Sequence, residues 1–203
     1  MQYDYFVSLG NNCEIGLQLR RVGYDKSSFF RFTYCNYASL VNILENQFRD
    51  IFLLENLIPH TDNMVKDTKY NIVFHSKLHS TLRDGSREFI RNKDFKEVYT
   101  QEFEKHNYLI QKDMALFRSK QKILFFIKSN MLLQMEQLDK LVDIFKKYNP
   151  DMKFQILYIT PQPYISSNDF VSIEKISKYA PDANVHDVDL DYYNKLFMQL
   201  NII

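Results

Sequence analysis

At 203 residues the chain is short for two domains and long enough to bury one full core, so a single domain over 1–203 is expected. With 45% hydrophobic and 25% charged residues, including 17 Phe and 14 Tyr, it carries no signature of disorder. Lysine and arginine number 26 against 25 acidic residues, a balance that removes the electrostatic case for a nucleic-acid or anionic-membrane partner.

The first element is a strand. Tyr3 to Leu9 mixes aromatic and β-branched residues and runs into Gly10-Asn11-Asn12, a turn signal. From Cys13 the apolar positions Ile15, Leu19 and Val22 recur at helical spacing, with Asn12 placed to cap the helix and Gly23 to end it. An aromatic run, Phe29 to Phe32, suits a buried strand or loop. Leu40, Val41, Leu44, Phe48 and Phe52 then trace a second amphipathic helix, closed by Pro59.

Tyr70 to His75 reads as the next strand, and Arg83-Asp84-Gly85 as the middle of a hairpin or mobile loop. Phe95 to Lys120 is a long, charge-rich helical stretch, most of it solvated. A βαβ unit follows: Ile123 to Ile127, a helix through Leu138, Leu141, Val142, Phe145 and Tyr148, a stop at Asn149-Pro150, and Phe154 to Ile159. Pro161 and Pro163 mark a loop, Asn184 to Val188 reads as a further strand, and Tyr193, Leu196, Phe197 and Leu200 lie on one face of a terminal helix. The alternation predicts an α/β fold, layered, with a mixed, partly parallel sheet flanked by helices.

No stretch approaches the roughly 18 to 20 apolar residues of a membrane span. The start, with an acid at Asp4 and no apolar region, does not resemble a signal peptide, so a cytoplasmic protein is expected. The two cysteines, Cys13 and Cys35, lack zinc-type spacing and are expected as free thiols, with no metal or other cofactor.

Chemistry concentrates near Cys13. The chain has four glycines, and Gly10, Gly16 and Gly23 all lie within ten residues of it. Glycine serves where backbone takes positive φ or approaches another group closely, so a constrained turn and a tightly packed helix are expected there. A cysteine at a helix N-terminus meets free N–H groups and the positive end of the dipole, which favour thiolate and lower its pKa. Position alone leaves open both a nucleophile and a small buried residue. Glu14 opposes activation if it faces the sulfur, or simply favours the helix start.

Among the five histidines, His75 ends an apolar strand, the usual place for a catalytic side chain on such a scaffold; His79 and His186 are alternatives. His60 follows a proline in a loop, and His106 sits on the charged helix. Asp84, a short loop downstream, is the candidate to orient His75. Arg20, Arg21 and Arg31 could read a phosphate or carboxylate, with solvated surface the plainer alternative. Asp187, Asp189 and Asp191 lack the glycine and glutamate of a calcium loop and read as a helix start. Neither a dinucleotide fingerprint nor a phosphate loop is present.

The run Ser8-Leu-Gly-Asn-Asn-Cys-Glu-Ile-Gly16, followed by Ser28-Phe-Phe-Arg-Phe32 and later by Val73-Phe-His75, resembles a bacterial family of unknown function described as papain-like cysteine peptidases. The resemblance implies Cys13 as nucleophile and His75 as base. It also implies a link to surface-polysaccharide biosynthesis, and hence a hydrolase or acyltransferase acting on a small-molecule, glycan or peptide substrate. Two departures stand out: the Pro-Phe-Asp-Trp version of the aromatic motif is absent, and no glutamine precedes Cys13 at the papain spacing, so the resemblance implies that Asn11 or Asn12 and backbone N–H groups take its place at the oxyanion. The second reading, from a different class, is a non-catalytic or glycosyltransferase-like module holding a sugar phosphate or nucleotide sugar.

Overall fold

A computed structural model describes residues 2–129, 132–162, 168–181 and 184–203. Its centre is a four-stranded sheet of β1 (Tyr5–Ser8), β8 (Lys122–Lys128), β9 (Lys153–Thr160) and β10 (Val171–Lys175), in that order and wholly parallel. Strands covered on both faces read as continuous apolar runs, which is why Ile123 to Ile127 shows no polar alternation.

One face packs Val7, Phe125, Ile156 and Tyr158 against α4 (Met135–Tyr148) and α2 (Tyr37–Glu45). Phe125 and Phe145 stack there with centroids 4.0 Å apart. The other face packs Phe6, Leu124, Phe126 and Leu157 against Ile15 and Leu19 of α1 (Glu14–Arg21) and Tyr193, Leu196 and Phe197 of α5 (Leu190–Gln199). Helices on both faces of a parallel sheet make this a layered α/β fold, as its sequence pattern predicts.

A second sheet, antiparallel, takes one short strand from before α2 and three from between α2 and the long helix α3 (Phe95–Phe117). It runs β2 (Thr33–Tyr34), β5 (Ile72–His75), β4 (Met64–Asp67), β3 (Leu57–Thr61). The β6 (Ser80–Arg83) and β7 (Ser86–Phe89) pair forms a hairpin, with Asp84 (φ 46°) and Gly85 (φ 80°) supplying the left-handed turn that such hairpins favour.

Four expectations change. The helix through Leu40 stops at Glu45, because Gln47, Phe48, Asp50 and Phe52 take positive φ. Each such residue costs roughly 1 kcal/mol or more, offset here by burying Phe48 and Phe52 against Phe29, Phe30 and Phe74. Pro59 does not close a helical unit; it lies in β3, an edge strand, where a missing N–H is tolerated. Asn184 to Val188 is not a strand but a turn and an extended lead into α5, whose N-cap Asp189 accepts from the Tyr192 N–H at 3.0 Å. On α3 the buried stripe is polar: Glu102, His106 and Asp113 lie inside with Phe117. Pro163 falls outside the described residues. Among the described residues no helix is long and apolar enough to cross a membrane.

Candidate active site

β1 ends at Ser8, and the chain reverses through Gly10 (φ 89°) and Asn11 (φ 77°) before α1 begins. The turn is pinned by the Asn11 N–H donating to the Cys35 carbonyl at 3.0 Å. A Cβ on Gly10 would lie 3.1 Å from Cys35 Cβ in a backbone region that disfavours side chains, so glycine is required there twice over. Cys13 itself holds the N-cap position, and Asn12 Oδ1 accepts from the Glu14 N–H at 3.0 Å. Asn12 thus caps a free N–H of the first turn as expected, from the residue before the N-cap position.

Gly16 is required for a different reason. A Cβ there would meet the Arg31 carbonyl at 2.4 Å and Arg31 Cγ at 2.9 Å, so the aromatic loop lies directly on the helix backbone. Gly16→Ala must push that loop away; overpacking of this kind costs about 1–3 kcal/mol, which in a chain of this size lowers the melting temperature by about 3–10 °C in a thermal scan.

The half-buried Cys13 sulfur lies 3.7 Å from Nε2 of His75. His75 is the last residue of β5, held opposite Met64 of β4, and its ring is exposed. It also lines an open groove of about 480 Å³ with Asn63, Ser76, Lys77, Gln101 and Glu102. Among the described residues, His75 is the histidine that meets Cys13. The Nδ1 of His79 lies 3.3 Å from the Asp62 carbonyl, and His60 and His186 are exposed elsewhere. His106 is buried among Phe29, Phe52 and Phe74.

Burial pushes the Cys13 thiol up, the opposite of the direction expected from a helix N-terminus alone. Withdrawing a thiolate from water is costly, and an eight-residue helix contributes only about 0.3–1 kcal/mol to offset it. Cys35 is sealed in the core at 2% exposure, and its thiol is pushed far higher by burial.

In the stretch that leads to Cys13, Ser8 Oγ and the amide nitrogens of Asn11 and Asn12 are buried without partners among the described residues. Each unsatisfied buried donor costs about 1–3 kcal/mol.

The other expected residues fall elsewhere. Asp84 occupies the hairpin turn and makes no hydrogen bond to His75 among the described residues, because its residue type is there to supply φ 46°. Arg20 is exposed in the last turn of α1, its guanidinium 5.4 Å from the centre of the Phe32 ring. Arg21 bonds Gln18 and Asn194. Arg31 is not solvated surface: it is 4% exposed, donates to the carbonyls of Lys26 (3.0 Å) and Tyr24 (2.9 Å), and pairs with Asp25 at 3.0 Å. Its charge stitches the loop over α1.

Glu14 turns away from the sulfur. It is fully buried, ion-paired with Lys128, and accepts from Tyr193 Oη at 2.8 Å and the Ala180 N–H at 3.1 Å. The helix pattern alone does not show this, although a lysine closing the apolar run Ile123 to Ile127 was a usable signal.

A family described as "Putative papain-like cysteine peptidase" matches residues 4–162, about four fifths of the chain. The chain belongs to this family. No curated protein and no solved structure matches it. The matched span contains both Cys13 and His75 as well as the whole antiparallel insert, whereas β10 and α5 lie beyond it.

Proposed function

We propose that this chain is a thiol-dependent hydrolase or acyltransferase working through a Cys13–His75 pair. The supporting observation is the 3.7 Å approach of Sγ to Nε2, a separation that closes to a hydrogen bond with a small adjustment in a complex. Because burial disfavours a free thiolate, the proton leaves for His75 as sulfur attacks, so thiolate and imidazolium form as a pair.

Sulfur forms a bond to the acyl carbon while its proton passes to Nε2; the leaving group departs with that proton, giving a thioester. Water or an acceptor hydroxyl or amine then attacks, losing its proton to Nε2, and the thiol is restored. Asn11 and Asn12, in the turn that leads to Cys13, are the candidate donors for the oxyanion. The groove beside His75 receives the leaving group or acceptor, whether small molecule, glycan or peptide.

The alternative of a sugar-phosphate module loses its main support, since Arg31 directs its donors to main-chain carbonyls.

The experiment is selective alkylation. Iodoacetamide followed by peptide mass analysis of the native protein should label Cys13 at least tenfold faster than Cys35, with the Cys13 rate falling in His75→Ala. Equal, slow labelling of both sulfurs would sink the reading.

A further inference from the structure

Glu14 is one residue from the nucleophile, yet it makes no contact that serves the thiol directly. Its carboxylate is enclosed by Lys128 from the end of β8, Tyr193 from α5, and the Ala180 N–H, while Lys128 Nζ also sits 4.7 Å from the centre of the Tyr179 ring. Burying two charges for stability alone is a poor arrangement, since a well-packed apolar pair does as well or better. What a fully satisfied buried pair can give is a unique position.

Position is what α1 lacks by itself. At eight residues it is too short to be stable alone, and its first turn carries the side chain that must face His75. Gly16 sets how closely the helix approaches the aromatic loop, on the side of Arg31. Glu14 ties down the opposite side. Two anchors two residues apart fix both the rotation and the height of the Cys13 turn.

Resting on the Cys13–His75 reading, we propose that the socket of Lys128, Tyr193 and the Ala180 N–H around Glu14 positions Cys13 for His75, which makes Ala180 and α5, outside the span the family matches, working parts of the site. Glu14 and Tyr193 are positioning residues; they touch no reacting atom.

The charged and titratable groups that face the pair and its socket are few. Cys13 faces His75 from β5 and has Glu14 beside it on α1; Glu14 faces Lys128, Tyr179, Tyr192 and Tyr193. A thiol paired with imidazole alkylates well at neutral pH, whereas an unpaired buried thiol needs alkaline pH. Losing position should therefore remove the neutral-pH limb and keep the alkaline plateau.

The test follows iodoacetamide labelling of Cys13 from neutral to alkaline pH in wild type, Tyr193→Phe, Glu14→Gln and His75→Ala, with Cys35 protection as the measure of an intact fold. Tyr193→Phe and Glu14→Gln should each lower neutral-pH labelling several-fold, leave the alkaline plateau and Cys35 protection unchanged, and add nothing in the His75→Ala background. Wild-type labelling at neutral pH in a Cys35-protected Tyr193→Phe protein would overturn the proposal. Tyr193→Phe retains the ion pair, so it decides the matter even if Glu14→Gln fails to fold. If wild-type Cys13 is itself no more reactive than Cys35, the Cys13–His75 reading fails instead, and the two failures are distinct.

Discussion

Cys13→Ser should abolish turnover, a fall of about 10³-fold or more in hydrolysis of an activated acyl ester such as p-nitrophenyl acetate. The replacement keeps size and shape, so the fold is retained and the loss reports chemistry alone. A serine hydroxyl is far less acidic than the thiol, and the burial that already pushes the Cys13 thiol up penalises an alkoxide more. His75→Ala should cost about 10²–10⁴-fold, within the usual range for a general base, and the two changes together should cost little more than the first. A Cys13→Ser protein that keeps more than a tenth of wild-type turnover would place the reaction elsewhere.

The parts of the fold that were legible are those where local signal and environment agree. Ile123 to Ile127 and Ile156 to Ile159 are apolar because both faces are covered, and the Asp84-Gly85 turn is written in its residue types. Phe48 and Phe52 misled because their four-residue spacing belongs to a left-handed wrap around Phe29 and Phe74, a conformation stabilised by rings distant in sequence. Val171 to Lys175 escaped notice since an edge strand with Ser172 and Glu174 alternating lacks a continuous apolar run.

The site divides in the same way. Cys13 and His75 each end or begin a recognisable element, so position together with the family resemblance singled out both, and the fold brings them to 3.7 Å. Asp84 and Arg31 could not, because proximity along the chain says nothing about which groups the fold has already engaged: Asp84 makes a turn, and Arg31 bonds main-chain carbonyls. His106 was the reverse case. A charged helix with the composition of α3 gave no sign that this ring would be 5% exposed among three phenylalanines.

That burial sets the second large effect. His106 has neither ring nitrogen partnered among the described residues, and burial, with a smaller contribution from Lys105, pushes its pKa from 6.5 down to about 3. The folded chain therefore keeps the ring neutral while the unfolded chain protonates it below 6.5, so this residue leaves stability unaffected above that pH and subtracts from it as pH falls through the window to about 3. At about two pH units below the unfolded value the penalty is about 2–3 kcal/mol, at 1.36 kcal/mol per unit.

Asp113, on the same helix, works in the opposite direction: burial raises its pKa to about 7 from 3.8, so its contribution is lost as pH rises through that range. The two slopes largely offset each other in wild type, which hides His106 from a simple acid titration. Comparing wild type with His106→Phe removes Asp113 from the difference, since both proteins carry it. The variant should lose stability less than wild type between pH ~7.5 and pH ~4.5, by about 2–3 kcal/mol in urea unfolding. A stability difference between the two proteins that does not change with pH would show that the ring is not held neutral inside the Phe29, Phe52 and Phe74 cage.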